Sequence, residues 1–254
     1  MKQEDINPKN EPIFCFTSDV DWASDIVWRK MHQLYESYKI PPTYFISHNS
    51  EFLRELKTEA KSAFGIHPNF MPGSSQGKSV AEIVDFVFSL VPGTQYSRCH
   101  VYFDSNEISY LLRKRGILFD SNTCTRLASD IKPFILNSGI MRFPVFFEDG
   151  NYSELKRDWA FETLLPTLET PGLKIFDLHP VNVIFNVPDR EHYNVLRQAF
   201  PAGRWSEMSA KDITNYAFKG EGPLTLTREI FKYVTSKKKK VLSFTELCRR
   251  YREF

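Results

Sequence analysis

"IFCFTSDVDWASD", residues 13–25, is the stretch on which the fold turns. It begins as a short apolar run and then carries two aspartates, Asp19 and Asp21, one residue apart. A run of this length bounded by polar residues reads as a buried strand. Side chains at i and i+2 of a strand share a face, so both carboxylates are expected to point the same way. Two like charges crowded there repel unless a cation or a shared proton compensates them. The stretch therefore predicts both a strand and a compensating charge at its carboxyl end.

Working outward, short apolar runs alternate with amphipathic stretches. "DIVWRKMHQLYESY" reads as a helix, "PTYFIS" as a strand, "EFLRELKTEA" as a helix and "AFGIH" as a strand. "KSVAEIVDFVFSLV" is a helix stopped by Pro92 and Gly93, and "QYSRCHVYF" is strand-like. "NEISYLLRKRG" and "ILFDSN" form the next helix and strand. "GIMRFPVFF" and "LKIFDLH" read as two more strands, with "SELKRDWAFETLL" as the helix between them. Strands that alternate with helices imply parallel pairing and right-handed crossovers. About seven such units favour a barrel over an open sheet. From about Pro188 the strand signals fade into a helical tail, and "SKKKK" at 236–240 reads as a solvated helix end. Residues 1–187 are thus expected to form the barrel and 188–254 a helical extension packed on it as one structural unit.

Composition narrows the function classes. The chain has 254 residues, 42% hydrophobic, with 22 Phe and 11 Tyr, which suits a globular core. A net charge of +2 gives no basic field for nucleic acid. Cys15, Cys99, Cys124 and Cys248 lack CxxC spacing and fit a reducing compartment. No apolar run approaches membrane-spanning length, and the polar start has no signal-peptide pattern. A cytoplasmic protein without an integral membrane segment is the expectation.

The chemistry-bearing residues fall at strand ends. His67 ends "GIH", Arg98 and His100 lie in "SRCH", Asp120 ends "LFD" and His179 ends "FDLH". In barrels, carboxyl strand ends converge on one mouth. Two imidazoles and a carboxylate bind a divalent transition metal and leave positions open for water, and Asp21, His67 and His100 supply that set. Such an ion answers the repulsion between the two aspartates. Asp19 is then free to act as a base on the water the ion activates, His179 can protonate a leaving group, and Arg98 can orient Asp19. Trp22 can pack on a sugar ring, and Arg142, Glu148 and Asp149 form a local ion group within reach of substrate. His32, His48 and His192 are expected to have surface roles, with His48 or Asn69 as replacement ligands for His100. "GSSQGKS" at 73–79 is one residue short of a phosphate loop and reads as a βα loop over the mouth.

In their order, "TSDVDW", "GIHPNF", "SRCH", "LFDSN" and "FDLHP" resemble the polysaccharide deacetylases with a NodB-homology domain. The likeness spans roughly residues 13–186. It implies a distorted (β/α)7 barrel and a metal-dependent enzyme that removes N- or O-acetyl groups from sugars. It also implies Asp19 as the base and Asp21 as a ligand, although the family's two aspartates are adjacent and here form DxD. His67 matches the first histidine of the second motif, whereas Phe70 and Met71 stand where the second belongs; His100 is the replacement. Arg98 matches the third motif's arginine and Asp120 the fourth motif's acidic partner, without its usual Trp. Leu178 matches the leucine of the acetyl pocket, and His179 the acid. The metal is expected to be zinc, with cobalt, nickel, iron or manganese as alternatives, and the substrate a saccharide precursor of a surface polysaccharide. A barrel hydrolase of a non-sugar amide, or a non-catalytic saccharide binder, stays open as an alternative.

Overall fold

Serine starts the early helices of this chain. Ser24, Ser50, Ser79 and Ser105 each sit in extended backbone, and each side chain accepts a backbone N–H from the first helical turn. That satisfies a donor the helix itself cannot. The computed structural model describes residues 8–58, 62–155, 158–201 and 204–251. Its strands are β1 (Pro12–Asp19), β2 (Thr43–Ile46), β3 (Ala63–Ile66), β4 (Tyr96–Ser97), β5 (Phe119–Asp120), β6 (Phe134–Ile135), β7 (Met141–Arg142), β8 (Phe147–Glu148), β9 (Gly172–Asp177) and β10 (Lys240–Val241). The helices that follow the early strands are α1 (Asp25–Ser37), α2 (Glu51–Leu56), α3 (Val80–Leu90) and α4 (Asn106–Lys114). Around β9 lie α5 (Asp149–Glu154), α6 (Phe161–Glu169) and α7 (Pro180–Ile184). The tail holds α8 (Arg190–Ala199), α9 (Ala210–Tyr216), α10 (Pro223–Ser236) and α11 (Phe244–Tyr251).

The sheet runs β6-β7-β5-β4-β3-β2-β1-β9-β8, with β10 also against β1. Every pairing is parallel except β6 with β7. Residues 141–148 begin paired to β5 and finish paired to β9, so one stretch spans the two ends of the curled sheet. Along it Phe143 N donates to Asp120 O, Val145 N to Thr123 O and Phe146 N to Ile175 O. The expected distorted β/α barrel is the fold. "GIMRFPVFF" is not one strand, however, because Pro144 has no N–H to give a ladder. "SELKRDWAFETLL" is not one helix either: α5 starts at Asp149, ahead of it, and α6 starts at Phe161.

β1 sets the layers. Ile13 and Cys15 face inward with Phe45, Phe143 and Ile175, whereas Phe14 and Phe16 face the helices with Trp28, Tyr35 and Phe231. Both faces are buried, as a parallel strand under helices requires. The alternation sends Thr17 and Asp19 inward, above the core. Phe244 of α11 closes the inner core from the other end, with ring contacts to Phe45, Tyr96 and Phe143. The lysine run is a correction: α10 ends at Ser236, and Lys240 pairs with Ile13 as part of β10 rather than extending a helix. No helix among the described residues is long and apolar enough to cross a membrane.

Candidate active site and metal centre

Asp19 ends β1 nearly buried, at 3% exposure. Its Oδ1 accepts from Arg98 Nη1 at 2.9 Å. The same Nη1 lies 2.8 Å from Asp177 Oδ1, Arg98 Nη2 donates to Thr17 Oγ1 and Ser121 Oγ, and Arg98 Nε donates to Ser121 O. The guanidinium also stacks over Phe45. Tyr102 donates to Asp177 Oδ2 at 2.6 Å. One fully buried cation thus bridges two carboxylates and offsets one of their two charges. Burial raises the Asp19 pKa well above the carboxylate range, and Arg98 opposes that only in part. Such a carboxylate accepts protons readily.

The second aspartate does not reach the site by strand alternation. β1 stops at Asp19, and Asp21 and Trp22 both turn left-handed, with φ of 46° and 56°. The turn delivers Asp21 Oδ1 to 3.0 Å from His67 Nε2 and 3.1 Å from His100 Nδ1, and those two nitrogens lie 3.3 Å apart. Burial would raise the Asp21 pKa, but His100 and His67 outweigh it and hold the group well below its usual value. His100 is a correction of route as well. β4 ends at Ser97, and His100 opens a single turn with Val101 and Tyr102 left-handed at φ 52° and 53°. For the β-branched Val101 this is a true outlier, and such strain clusters at functional sites. His100 N donates to Pro68 O at 2.9 Å, tying that turn to the His67 segment.

Three donor atoms at 3.0–3.3 Å from one another suit a common ion. Ligands about 2.0–2.1 Å from a tetrahedral zinc lie about 3.3 Å apart. His67 Nδ1 is buried without a hydrogen bond, 3.6 Å from Asp19 Oδ2, so the ring's other nitrogen faces a carboxylate. Two further groups among the described residues bring donors together, Asp19 with Asp177 and His179, and Glu148 with Asp149 and His179. Arg98 already bridges the two carboxylates of the first, and His179 itself is the counter-ion of the second.

His179 follows β9 and stands across the cavity from His67. Its Nδ1 lies 2.7 Å from Asp149 Oδ1, its backbone N donates to Asp149 Oδ2 at 2.8 Å, and its Nε2 is 3.6 Å from Asp21 Oδ2. Burial would lower its pKa, but Asp149 and Asp177 outweigh that and raise it well above the usual value, which favours the protonated ring. Burial also pushes Glu148 up to about 8.

The remaining candidates lie apart from the cavity lining. Asp120 is buried against Arg142, whose Nε and Nη2 donate to it at 2.9 and 2.8 Å, and Arg142 also pairs with Asp104. Leu178 is buried, its N donating to Thr17 O. Trp22 stands edge-on to His100, with ring centroids 5.2 Å apart. His48 is spent on Ser47 Oγ and Ala23 O. His32 is buried beside Tyr44 and is not a surface residue. The "GSSQGKS" loop does not cover the mouth. Gln76 is buried behind His67, accepting from Asn69 N at 2.6 Å and donating to Ser47 O at 2.7 Å and His67 O at 3.0 Å. Sequence reasoning passed over Asp177 as a site residue, although it ends β9 two residues before His179. It left Asp149 in a local ion group and passed over Tyr102, Tyr193 and Trp205, which only packing brings to the centre.

A cavity of about 460 Å³ opens beside Asp19, Asp21, His100 and His179, walled by α5, α7, α8 and Trp205. In structure the chain is similar to a candidate polysaccharide deacetylase of O-antigen biosynthesis from Bordetella bronchiseptica, with 24% identity, 87% of this chain and 90% of that one covered, and a TM-score of 0.75. It is similar, at 12% identity, to a candidate polysaccharide deacetylase from Mycobacterium smegmatis, covering 94% and 89% with a TM-score of 0.56. At these identities the likeness is one of fold. No curated protein matches the sequence. Residues 16–197 match the sequence pattern of the WbmS-like polysaccharide deacetylases, and this match over most of the chain, ordered strand ends included, makes it a member of that family.

Proposed function

We propose that the chain is a metal-dependent hydrolase that removes an acetyl group from an acetylated saccharide in the synthesis of a surface polysaccharide. The observation that carries this reading is the convergence of Asp21 Oδ1, His67 Nε2 and His100 Nδ1 between a carboxylate held by Arg98 and an imidazole held by Asp149. A divalent ion held by Asp21, His67 and His100 would acidify water and polarise the acetyl carbonyl. Asp19, with Oδ1 tied to Arg98, takes the proton from water. His179 keeps Nδ1 on Asp149 and gives the proton at Nε2 to the departing amine or alcohol. Arg98 orients the base, and Asp177 with Tyr102 fixes Arg98. The non-catalytic alternative rested on the absent second-motif histidine, and His100 supplies a donor in that place. Four free thiols, three of them buried, support a reducing compartment.

The test is metal content together with acetate release. The purified protein should hold one divalent ion per chain and release acetate from acetylated sugars faster than from simple acetamides. Asp19→Asn should keep the ion and lose turnover by about 10²–10⁴-fold. A parent protein that binds no ion after loading, or releases acetate from no acetylated sugar, overturns the reading.

A further inference from the structure

Helix N-termini are ready-made phosphate sites, because their free N–H groups and dipole favour anions. Around this cavity the starts of α5 and α8 are occupied by the chain's own carboxylates. Glu148 accepts from Gly150 N and Asn151 N at 2.7 Å, and Asp189 from His192 N at 2.8 Å. Asp19, Asp21, Glu148, Asp149 and Glu154 all line the cavity, whereas Arg190 is the one lysine or arginine among the described lining residues. Its Nη1 lies 3.4 Å from Glu154 Oε1. A diphosphate on the wall away from the ion site would find the starts of α5 and α8 already capped and Arg190 already facing Glu154.

The outer wall has different chemistry. Tyr193 of α8 and Trp205 are both half-buried and line the cavity. Their ring centroids are 5.7 Å apart at 61°, forming an aromatic corner. Trp205 Nε1 donates to Phe200 O at 2.9 Å, which satisfies the indole and leaves its face for apolar contact. Both residues lie outside every strand-end motif of the barrel.

We propose that α8 and the turn at Trp205 carry the sugar-recognition subsite, with Tyr193 and Trp205 packing on the ring of an uncharged acetylated saccharide and the capped helix starts giving a nucleotide- or phosphate-linked sugar no anchor. This inference deepens the deacetylase reading and rests on it for the orientation of the substrate. Calorimetric titration of the full, metal-loaded Asp19→Asn chain with di-N-acetylchitobiose and with UDP-N-acetylglucosamine tests it. The disaccharide should bind about tenfold or more tighter than the nucleotide sugar. Trp205→Ala should weaken disaccharide binding about tenfold, and Tyr193→Phe, which keeps the ring and removes the hydroxyl, by a smaller factor. In the active parent, the same two changes should raise KM more than they lower kcat.

Equal or tighter binding of the nucleotide sugar, no binding of the disaccharide, or disaccharide binding indifferent to both substitutions overturns the proposal. If the parent releases no acetate while disaccharide binding still depends on Trp205, the deacetylase reading falls and the subsite stands. If acetate release is normal and indifferent to both substitutions, the subsite falls alone.

Discussion

Gln76 offers the sharpest test of how the centre is braced. It is 4% exposed, and its amide makes three hydrogen bonds, from Asn69 N and to Ser47 O and His67 O. Gln76→Met keeps the length and volume while removing all three. Each such bond contributes about 0.5–1.5 kcal/mol net, and the backbone groups left behind are buried, so the loss is about 3 kcal/mol. For a chain of this size each kcal/mol moves the melting temperature by about 2–4 °C, giving a fall of about 6–12 °C. Calorimetry and urea unfolding should agree on that loss. Because His67 O is one of the freed acceptors, metal affinity should fall too, although Gln76 touches no proposed ligand atom. A variant that melts within about 2 °C of the parent refutes the brace.

Other substitutions probe the centre and the fold separately. His100→Ala should weaken metal binding by about 100-fold or more, read by chelator competition, while apo stability holds because that side chain sits on a surface turn and is 24% exposed. Asp149→Asn removes a hydrogen bond to a charged imidazole, about 1.5–3 kcal/mol, so kcat should drop about 10–150-fold with the metal retained. Lys174 is fully buried in β9, met by the Ser129 and Thr170 hydroxyls and the Phe146 ring, and burial lowers its pKa from 10.5 to about 8. Between those two values the unfolded chain holds the extra proton, so this group makes stability rise with pH across that window and adds no slope outside it. Lys174→Met should be more stable at pH 7 by about 1–4 kcal/mol and lack that rise in pH-dependent urea unfolding.

The sequence by itself determined the β/α alternation, the parallel pairing of the strands, and the grouping of Asp19, Asp21, His67, Arg98, His100 and His179 at one end of the barrel. These were legible because burial on both faces of a parallel strand writes an apolar run, and the chain must then turn polar where it reaches the mouth. Tertiary structure alone decided how each proposed ligand arrives. Asp21 and His100 come from left-handed turns, not strand faces, and no periodicity encodes a positive φ at Asp, Trp, Val or Tyr. The β10 strand hidden in a lysine run and the burial of Gln76 against Ser47 likewise depend on partners more than 20 residues away. Tyr193 and Trp205 join the site because a helix beyond the barrel folds over its mouth. A local pattern carries information about neighbours in sequence, and these contacts exist only between segments that packing brings together.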